Sequence, residues 1–96
     1  MKISYTPESI NDLKRLREFI ATKNPMAAYR IANELLIGIK KLKTFPNIGL
    51  PVKRAPNPEI IRDLFIGHYI VRYLVKNNDI FVLRVWHGKE IEKDLL

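Results

Sequence analysis

The sequence predicts an α+β domain with two layers, in which a helical hairpin packs on a mainly antiparallel four-stranded sheet. Two segments with apolar residues at helical spacing follow one another in the first half of the chain. Segments rich in β-branched and aromatic residues, separated by short polar turns, fill the second half. The chain has 96 residues, enough for one hydrophobic core, so residues 1–96 are predicted to form a single domain.

Two capping signals place the helices. After a short predicted strand at Lys2–Tyr5, Thr6-Pro7 begins the first helix, because the threonine oxygen accepts from free backbone N–H groups and proline suits the first helical position. Asn24-Pro25 repeats this signal, and the second helix is predicted over residues 26–43. The short connection predicts an antiparallel hairpin. The charged residues of the first helix are interpreted as a solvated face: Asp12, Lys14, Arg15, Arg17 and Glu18.

The second half of the chain predicts a loop and three strands. Four prolines make residues 45–59 a loop, after which Ile60–Ile66 has a strand pattern. A β-hairpin follows around Asn77-Asn78, since asparagine tolerates the left-handed backbone of tight turns. Residues whose numbers sum to 155 then face each other: Tyr73 and Val82, Val71 and Arg84, Tyr69 and Trp86. The predicted order is β-α-α-β-β-β, with the first strand at an edge, one sheet face open and a short amphipathic tail over Glu90–Leu96.

Composition narrows the classes of function. The net charge of +7 suggests an acidic partner, such as nucleic acid, a nucleoprotein or an acidic protein. The chain has no cysteine and two histidines, so we expect neither a disulfide, a metal site nor a cofactor. The N-terminus lacks a signal-peptide pattern, and no apolar run reaches the ~18 residues of a membrane span. A soluble, cytoplasmic protein is therefore expected.

A basic and aromatic set on or beside the sheet supplies the candidate target-binding residues. Arginine beside aromatic side chains can bind phosphate and stack on bases. The set comprises Arg62, Arg72, Arg84, Trp86, His87 and Lys89. Alternation divides the hairpin into two faces that each mix apolar residues with one arginine, so the pattern does not decide which face packs on the helices. Tyr69 and Tyr73 are interpreted as core residues with polar handles.

The order of elements and the sequences of two strands resemble the RelE/ParE toxins of bacterial type II toxin–antitoxin systems. These strands are Tyr69–Tyr73 and Leu83–Lys89, and the loop Pro46-x-x-Gly49 after the second helix adds to the similarity. The resemblance covers nearly the whole chain. It implies a small basic toxin, neutralised by a cognate antitoxin that wraps an extended or helical segment over it in a toxin–antitoxin hetero-oligomer.

The resemblance implies one of two activities. RelE-like members cut mRNA on the ribosome with arginine, lysine and tyrosine or histidine around the scissile phosphate, whereas ParE-like members, known from plasmid stabilisation, act on DNA gyrase. Ile70 stands where the nucleases tend to have an arginine, Glu90 begins the segment where they have an arginine cluster, and Leu95-Leu96 lacks their tyrosine. The ending His87–Lys89 is similar to the ParE type, although Glu90 departs from that type too. A ParE-like inhibitor of DNA gyrase, without catalysis of its own, is therefore the main hypothesis.

Two alternatives stay open. In the first, the protein is a ribosome-dependent endoribonuclease that acts on ribosome-bound mRNA and uses Arg72, Arg84, His87 and Lys89 as catalytic residues. In the second, it is a degenerate member of the superfamily that only binds its antitoxin.

Overall fold

A computed structural model describes residues 1–90. Strand β1 (Ile3–Tyr5) leads into helix α1 (Pro7–Lys23) and helix α2 (Pro25–Lys40), which a 3₁₀ turn (Lys41–Lys43) extends. The remaining strands are β2 (Leu50–Pro51), β3 (Ile61–Ile66), β4 (Tyr69–Lys76) and β5 (Asp79–His87). Beyond Glu90, the predicted tail lies outside the described residues.

The five strands form one mixed sheet in the order β1-β5-β4-β3-β2. Strand β1 occupies an edge, as predicted, and runs parallel to β5, while the other neighbours are antiparallel. The α+β architecture is confirmed, with one strand more than predicted. The added strand is Leu50–Pro51 in the proline-rich loop, which pairs with Asp63 and Arg62 of β3. Proline is compatible with this position because β2 lies at the other edge of the sheet.

Both predicted helix starts are confirmed by their hydrogen bonds. The Thr6 side-chain oxygen accepts from the Ser9 N–H at 3.1 Å, and the Asn24 Oδ1 accepts from the Ala27 N–H at 3.1 Å. The Thr6 hydroxyl also donates to the carbonyl of Leu83 at 2.9 Å, which ties the start of α1 to β5. Within residues 1–90, no helix combines the length and the apolar composition that crossing a membrane requires.

A β-bulge divides the β4–β5 hairpin. Asn77 and Asn78 form the turn with φ of 54° and 63°, and the predicted pairing holds from the turn to Tyr73 opposite Val82. The register then shifts by one, so that Arg72 faces Arg84 and Leu83 is the extra residue of β5. The predicted pairs beyond this point are wrong: Val71 faces Val85, not Arg84, and Tyr69 faces His87, not Trp86.

The main core lies between the helices and one face of the sheet. Because the bulge re-phases β5, Val82 and Val85 both point into this core, although strict alternation would separate them. The buried members are Leu16, Leu35, Ile39, Leu42, Val71, Tyr73, Ile80, Val82 and Val85.

The opposite face of the sheet is only partly open. Val52 and Ala55 from the loop pack on Ile61, with the partly buried Leu74 and Leu83 beside them. Ile61 and Leu74 face each other across β3 and β4, one residue away from the core-facing Tyr73, so this second cluster lies on the far side of the sheet. The expectation of a face left wholly to water or a partner is therefore wrong at this end.

Candidate functional site

Arg72 lies in the middle of β4 and is fully engaged by its neighbours. Its Nε donates to Oδ1 of Asp63 at 2.8 Å and its Nη2 donates to Oδ2 at 3.0 Å. Asp63 faces Arg72 across β3 and β4, so the two side chains meet by register. The Arg72 side chain is only 4% exposed, and its guanidinium carbon lies 5.1 Å from the ring centre of the buried Trp86. This guanidinium is stacked, ion-paired and withdrawn from solvent.

Arg84, opposite Arg72 at the bulge, is held by a second carboxylate. Its Nε donates to Oδ2 of Asp12 at 2.7 Å and its Nη2 donates to Oδ1 at 3.0 Å. The hydrogen bond that the guanidinium donates to Asp12 raises the pKa of Arg84 above its ordinary value. The same carboxylate accepts from the Val85 N–H at 3.0 Å, beside the irregularity in the strand. The Arg84–Asp12 pair therefore fastens α1 to the bulge of β5.

Asp12 is the residue of this arrangement that the sequence analysis missed. It was interpreted as part of a solvated face of the helix, and that interpretation is wrong because Asp12 is 4% exposed. A signal for its burial exists in the sequence. Ser9, Asp12 and Leu16 are the buried residues of α1, and their spacing of three and four places them on one face of the helix.

The open end of the β4–β5 hairpin gathers three rings. His68 and His87 stack with ring centres 6.0 Å apart, and Tyr69 meets His87 edge-on at 5.1 Å. Tyr69 is the residue that faces His87 across the two strands. Burial raises the pKa of the Tyr69 hydroxyl, and the positive charge of Arg30 partly opposes this shift. The rings form a packed cluster next to the helical layer.

A turn after β5 fixes the orientation of His87. The Lys89 N–H donates to Nδ1 of His87 at 3.0 Å, which places the proton of the neutral imidazole on Nε2. The His87 N–H donates to Oε1 of Glu90 at 2.9 Å, and Oε2 of Glu90 accepts from Nη1 of Arg15 on α1 at 2.8 Å. Lys89 itself is exposed.

Arg62 serves a different part of the molecule. It faces Tyr73 across β3 and β4, on the side of the sheet that carries the helices. Its Nη1 donates to the carbonyls of Asn47 at 3.3 Å and Gly49 at 2.9 Å. The Tyr73 hydroxyl donates to the carbonyl of Pro46 at 2.8 Å and accepts from the Gly49 N–H at 2.9 Å. Arg62 and Tyr73 thus form a clamp on residues 46–49.

The structure therefore divides the six candidate residues among three places. Arg72, Arg84 and Trp86 lie together around the bulge, where ion pairs and burial engage them. His87 and Lys89 lie at the open end of the hairpin, and Arg62 belongs to the clamp. Residues 1–90 contain no group of three or more histidine, cysteine or acidic side chains arranged to hold a metal ion.

Comparison with known proteins places this fold in a class of bacterial toxins. The sequence model of a protein family, the ParE toxin of the type II toxin–antitoxin system parDE, matches residues 3–92. A relative, Toxin RelE2 of Caulobacter vibrioides, is 23% identical over 90 residues, which cover 94% of this chain and 98% of the relative.

Two solved structures share the fold. One is described as the chromosomal ParDE toxin–antitoxin system of P. aeruginosa, with a TM-score of 0.77, 19% identity and coverage of 93% of this chain and 97% of the other. The second is the protein HP0894 of Helicobacter pylori, with a TM-score of 0.59, 19% identity and coverage of 94% and 97%.

The fold and the family match define a toxin of a type II toxin–antitoxin system, within the RelE/ParE superfamily. Within that class, this chain belongs to the ParE toxin family. Membership of this family implies an antitoxin as partner.

Proposed function

We propose that this toxin acts as an inhibitor of DNA gyrase by binding it, and that it does not cleave RNA. The observation that carries the proposal is the pairing of both sheet arginines. Cleavage of a phosphodiester needs cations that stabilise the developing negative charge. Each of these arginines donates two hydrogen bonds to one carboxylate: Arg72 to Asp63 and Arg84 to Asp12. A phosphate would have to displace a carboxylate from a fork-to-fork contact to reach either of them.

The geometry of His87 supports the same conclusion. A general base must accept the proton of the attacking hydroxyl with an unprotonated nitrogen. Nδ1 of His87 is occupied by the Lys89 N–H, which leaves the proton on Nε2. In this tautomer the imidazole can donate a hydrogen bond through Nε2 but has no nitrogen available to accept a proton.

The alternative function is a ribosome-dependent endoribonuclease, and two observations favour keeping it. The exposed Lys89 lies two residues from His87 at the open end of the hairpin, where RNA can approach. The Caulobacter relative at 23% identity carries the name RelE2. A nuclease would use the Nε2–H of His87 to donate a hydrogen bond to the scissile phosphate and Lys89 to stabilise the developing charge.

A supercoiling assay tests the main proposal directly. Purified gyrase is titrated with toxin, and the same titration is repeated with toxin saturated by its cognate antitoxin. We expect loss of supercoiling with free toxin only. Supercoiling that continues at a large excess of active toxin would contradict the proposal.

Pulse labelling after induced expression separates the two functions in cells. Incorporation of thymidine and of methionine is followed in parallel, without antitoxin. An early fall in thymidine incorporation is the expected result, because gyrase inhibition stops replication first. An early fall in methionine incorporation, together with cut mRNA on ribosomes, would establish the alternative. If neither falls, the chain only binds its antitoxin.

A further inference from the structure

The loop that joins the 3₁₀ turn to β2 presents apolar side chains to solvent. Phe45 is 58% exposed, Ile48 50% and Leu50 63%. Phe65 of β3, 58% exposed, lies on the same sheet face as Leu50, because Leu50 faces Asp63 and the side chains of Asp63 and Phe65 point the same way. An exposed apolar patch of this kind on a small domain is typical of an interaction site.

The clamp keeps this loop in one conformation. Tyr73 is fully buried, and its hydroxyl forms hydrogen bonds with the backbone of Pro46 and Gly49. The Arg62 guanidinium donates to the carbonyls of Asn47 and Gly49. Gly49 adds close packing, since a Cβ there would come within 2.8 Å of the Tyr73 ring and 2.9 Å of the Asp63 carbonyl. Polar groups of the sheet therefore hold in place a loop that exposes Phe45, Ile48 and Leu50 to solvent. A surface fixed before binding loses less conformational entropy on association.

The chain segment that contains the loop carries charge of one sign. Residues 40–54 contain five cations and no acidic residue: Lys40, Lys41, Lys43, Lys53 and Arg54. Lys41, Lys43 and Lys53 are exposed, and within the described part of the chain none of the three forms an ion pair. The loop thus combines exposed apolar side chains with exposed lysines that lie near them in the chain, while the neighbouring Asp63 is engaged by Arg72.

We infer that this loop surface, made of Phe45, Ile48, Leu50 and Phe65 with Lys41, Lys43 and Lys53, docks onto an acidic protein surface that offers an apolar pocket rimmed by carboxylates. Electrostatic complementarity then selects the partner and the fixed apolar side chains anchor it. Ile48 and Leu50 favour a protein over a nucleic acid, because their aliphatic side chains fit an apolar pocket and offer bases no ring on which to stack, whereas Phe45 and Phe65 suit either partner. The identity of the partner as gyrase rests on the proposed function; the location of the surface does not.

The test inserts a carboxylate into the centre of the loop surface. Ile48→Asp and Leu50→Asp are compared with Met26→Asp and Tyr29→Asp, which alter residues that are 80% and 77% exposed at the start of α2. Thermal unfolding confirms that each variant is folded. The readouts are growth arrest at matched protein level and the toxin concentration that halves gyrase supercoiling. We expect a loss of at least about tenfold for the loop variants and a change within about twofold for the controls.

A double variant tests the contribution of the exposed lysines beside the loop. Lys41→Glu with Lys43→Glu is expected to weaken the toxin mainly at low salt, since exposed charges are screened as the ionic strength rises. Equal losses at the loop and control positions would overturn the inference, as would unchanged potency of folded Ile48→Asp and Leu50→Asp proteins. The inference would also be overturned if the toxin bound duplex DNA or RNA directly and this binding required Lys41 and Lys43 but not Ile48, because the partner would then be a nucleic acid.

The outcome also separates the inference from the proposed function. If the wild-type toxin arrests growth without affecting gyrase, the gyrase proposal fails, and loss of growth arrest in Ile48→Asp would still establish the loop surface with another acidic protein. If the wild-type toxin neither arrests growth nor inhibits gyrase, both fail.

Discussion

The arginines of the sheet and the lysines beside the loop carry the same charge in opposite settings. Arg72 and Arg84 have side chains 4% and 17% exposed, and each is neutralised by a carboxylate. Lys41 and Lys43 are exposed and form no ion pair within residues 1–90. The first pair of cations joins elements of the fold, and the second pair faces outward. Net charge alone does not reveal this division, because it sums all charged residues whether or not they form ion pairs.

The largest effect is expected from breaking a buried pair. Asp12→Ala leaves the Arg84 guanidinium and the Val85 N–H without their shared acceptor, so we expect a loss of about 3–5 kcal/mol in the free energy of unfolding. Urea denaturation measures it. Glu18→Ala, on the exposed side of α1, is the control and should be near neutral. A loss below about 1 kcal/mol for Asp12→Ala would show that the pair does not stabilise the fold.

The clamp connects the buried interior to the exposed loop, and Tyr73→Phe tests it. The variant leaves the Pro46 carbonyl and the Gly49 N–H without partners, so we expect a loss of about 2–3 kcal/mol and faster hydrogen exchange at Gly49. Tyr29→Phe, on the surface, serves as control. Unchanged exchange at Gly49 would mean that the loop holds its conformation without the hydroxyl.

The same variant has a signature at high pH. Burial raises the pKa of the Tyr73 hydroxyl above 10.0, partly offset by the hydrogen bond from Gly49 and the charge of Arg62. The unfolded chain therefore loses this proton first, and the stability that Tyr73 contributes is lost as the pH rises above about 10. Denaturation between neutral and alkaline pH should show a smaller decline for Tyr73→Phe than for the wild type.

A smaller effect is expected from crowding at Gly49. The added methyl of Gly49→Ala would press on Tyr73 and the Asp63 carbonyl, at a cost of about 2 kcal/mol. Gly67→Ala is the matched comparison: its φ is +58° and no atom lies within 4 Å of the new Cβ, so it should lose only the ~1 kcal/mol of a left-handed backbone. Thermal unfolding of both proteins checks the order, and a larger loss at Gly67 would contradict close packing of the loop.

The smallest effect is expected from an exposed pair. Arg30 and Glu34 lie four residues apart on α2 at 3.2 Å, with side chains 64% and 50% exposed. Arg30→Ala should change stability by no more than about 0.5 kcal/mol, and less in high salt. Urea denaturation at two salt concentrations measures both. If Arg30→Ala lowered the free energy of unfolding nearly as much as Asp12→Ala, buried and exposed ion pairs would contribute equally to stability, contrary to expectation.

Local chemistry was sufficient to predict most of the fold. Thr6 and Asn24 cap their helices, and the two asparagines make the hairpin turn, because these effects act within a few residues. The register failed after Tyr73 because nothing in the local pattern marks Leu83 as the extra residue of a bulge. That single residue reverses which side chains of β5 enter the core.

The candidate site was harder to predict because its partners lie far apart in the chain. Arg84 was selected as a cation beside aromatic residues, but its carboxylate, Asp12, lies 72 residues earlier. Arg62 was selected for the same reason, and its partners are backbone carbonyls that no sequence pattern identifies. Lys89 is exposed, as a binding residue should be, and its role stays a prediction.

The parallel pairing of β1 with β5 has a consequence for timing. Ile3 pairs with Ile80, so β1 must wait until β5 has been synthesised before it can join the sheet. The contacts between the two helices join segments close in the chain, so the helical hairpin can form earlier, whereas pairing between distant segments is slow. The pairing of β1 with β5 is therefore expected to follow the formation of the β4–β5 hairpin.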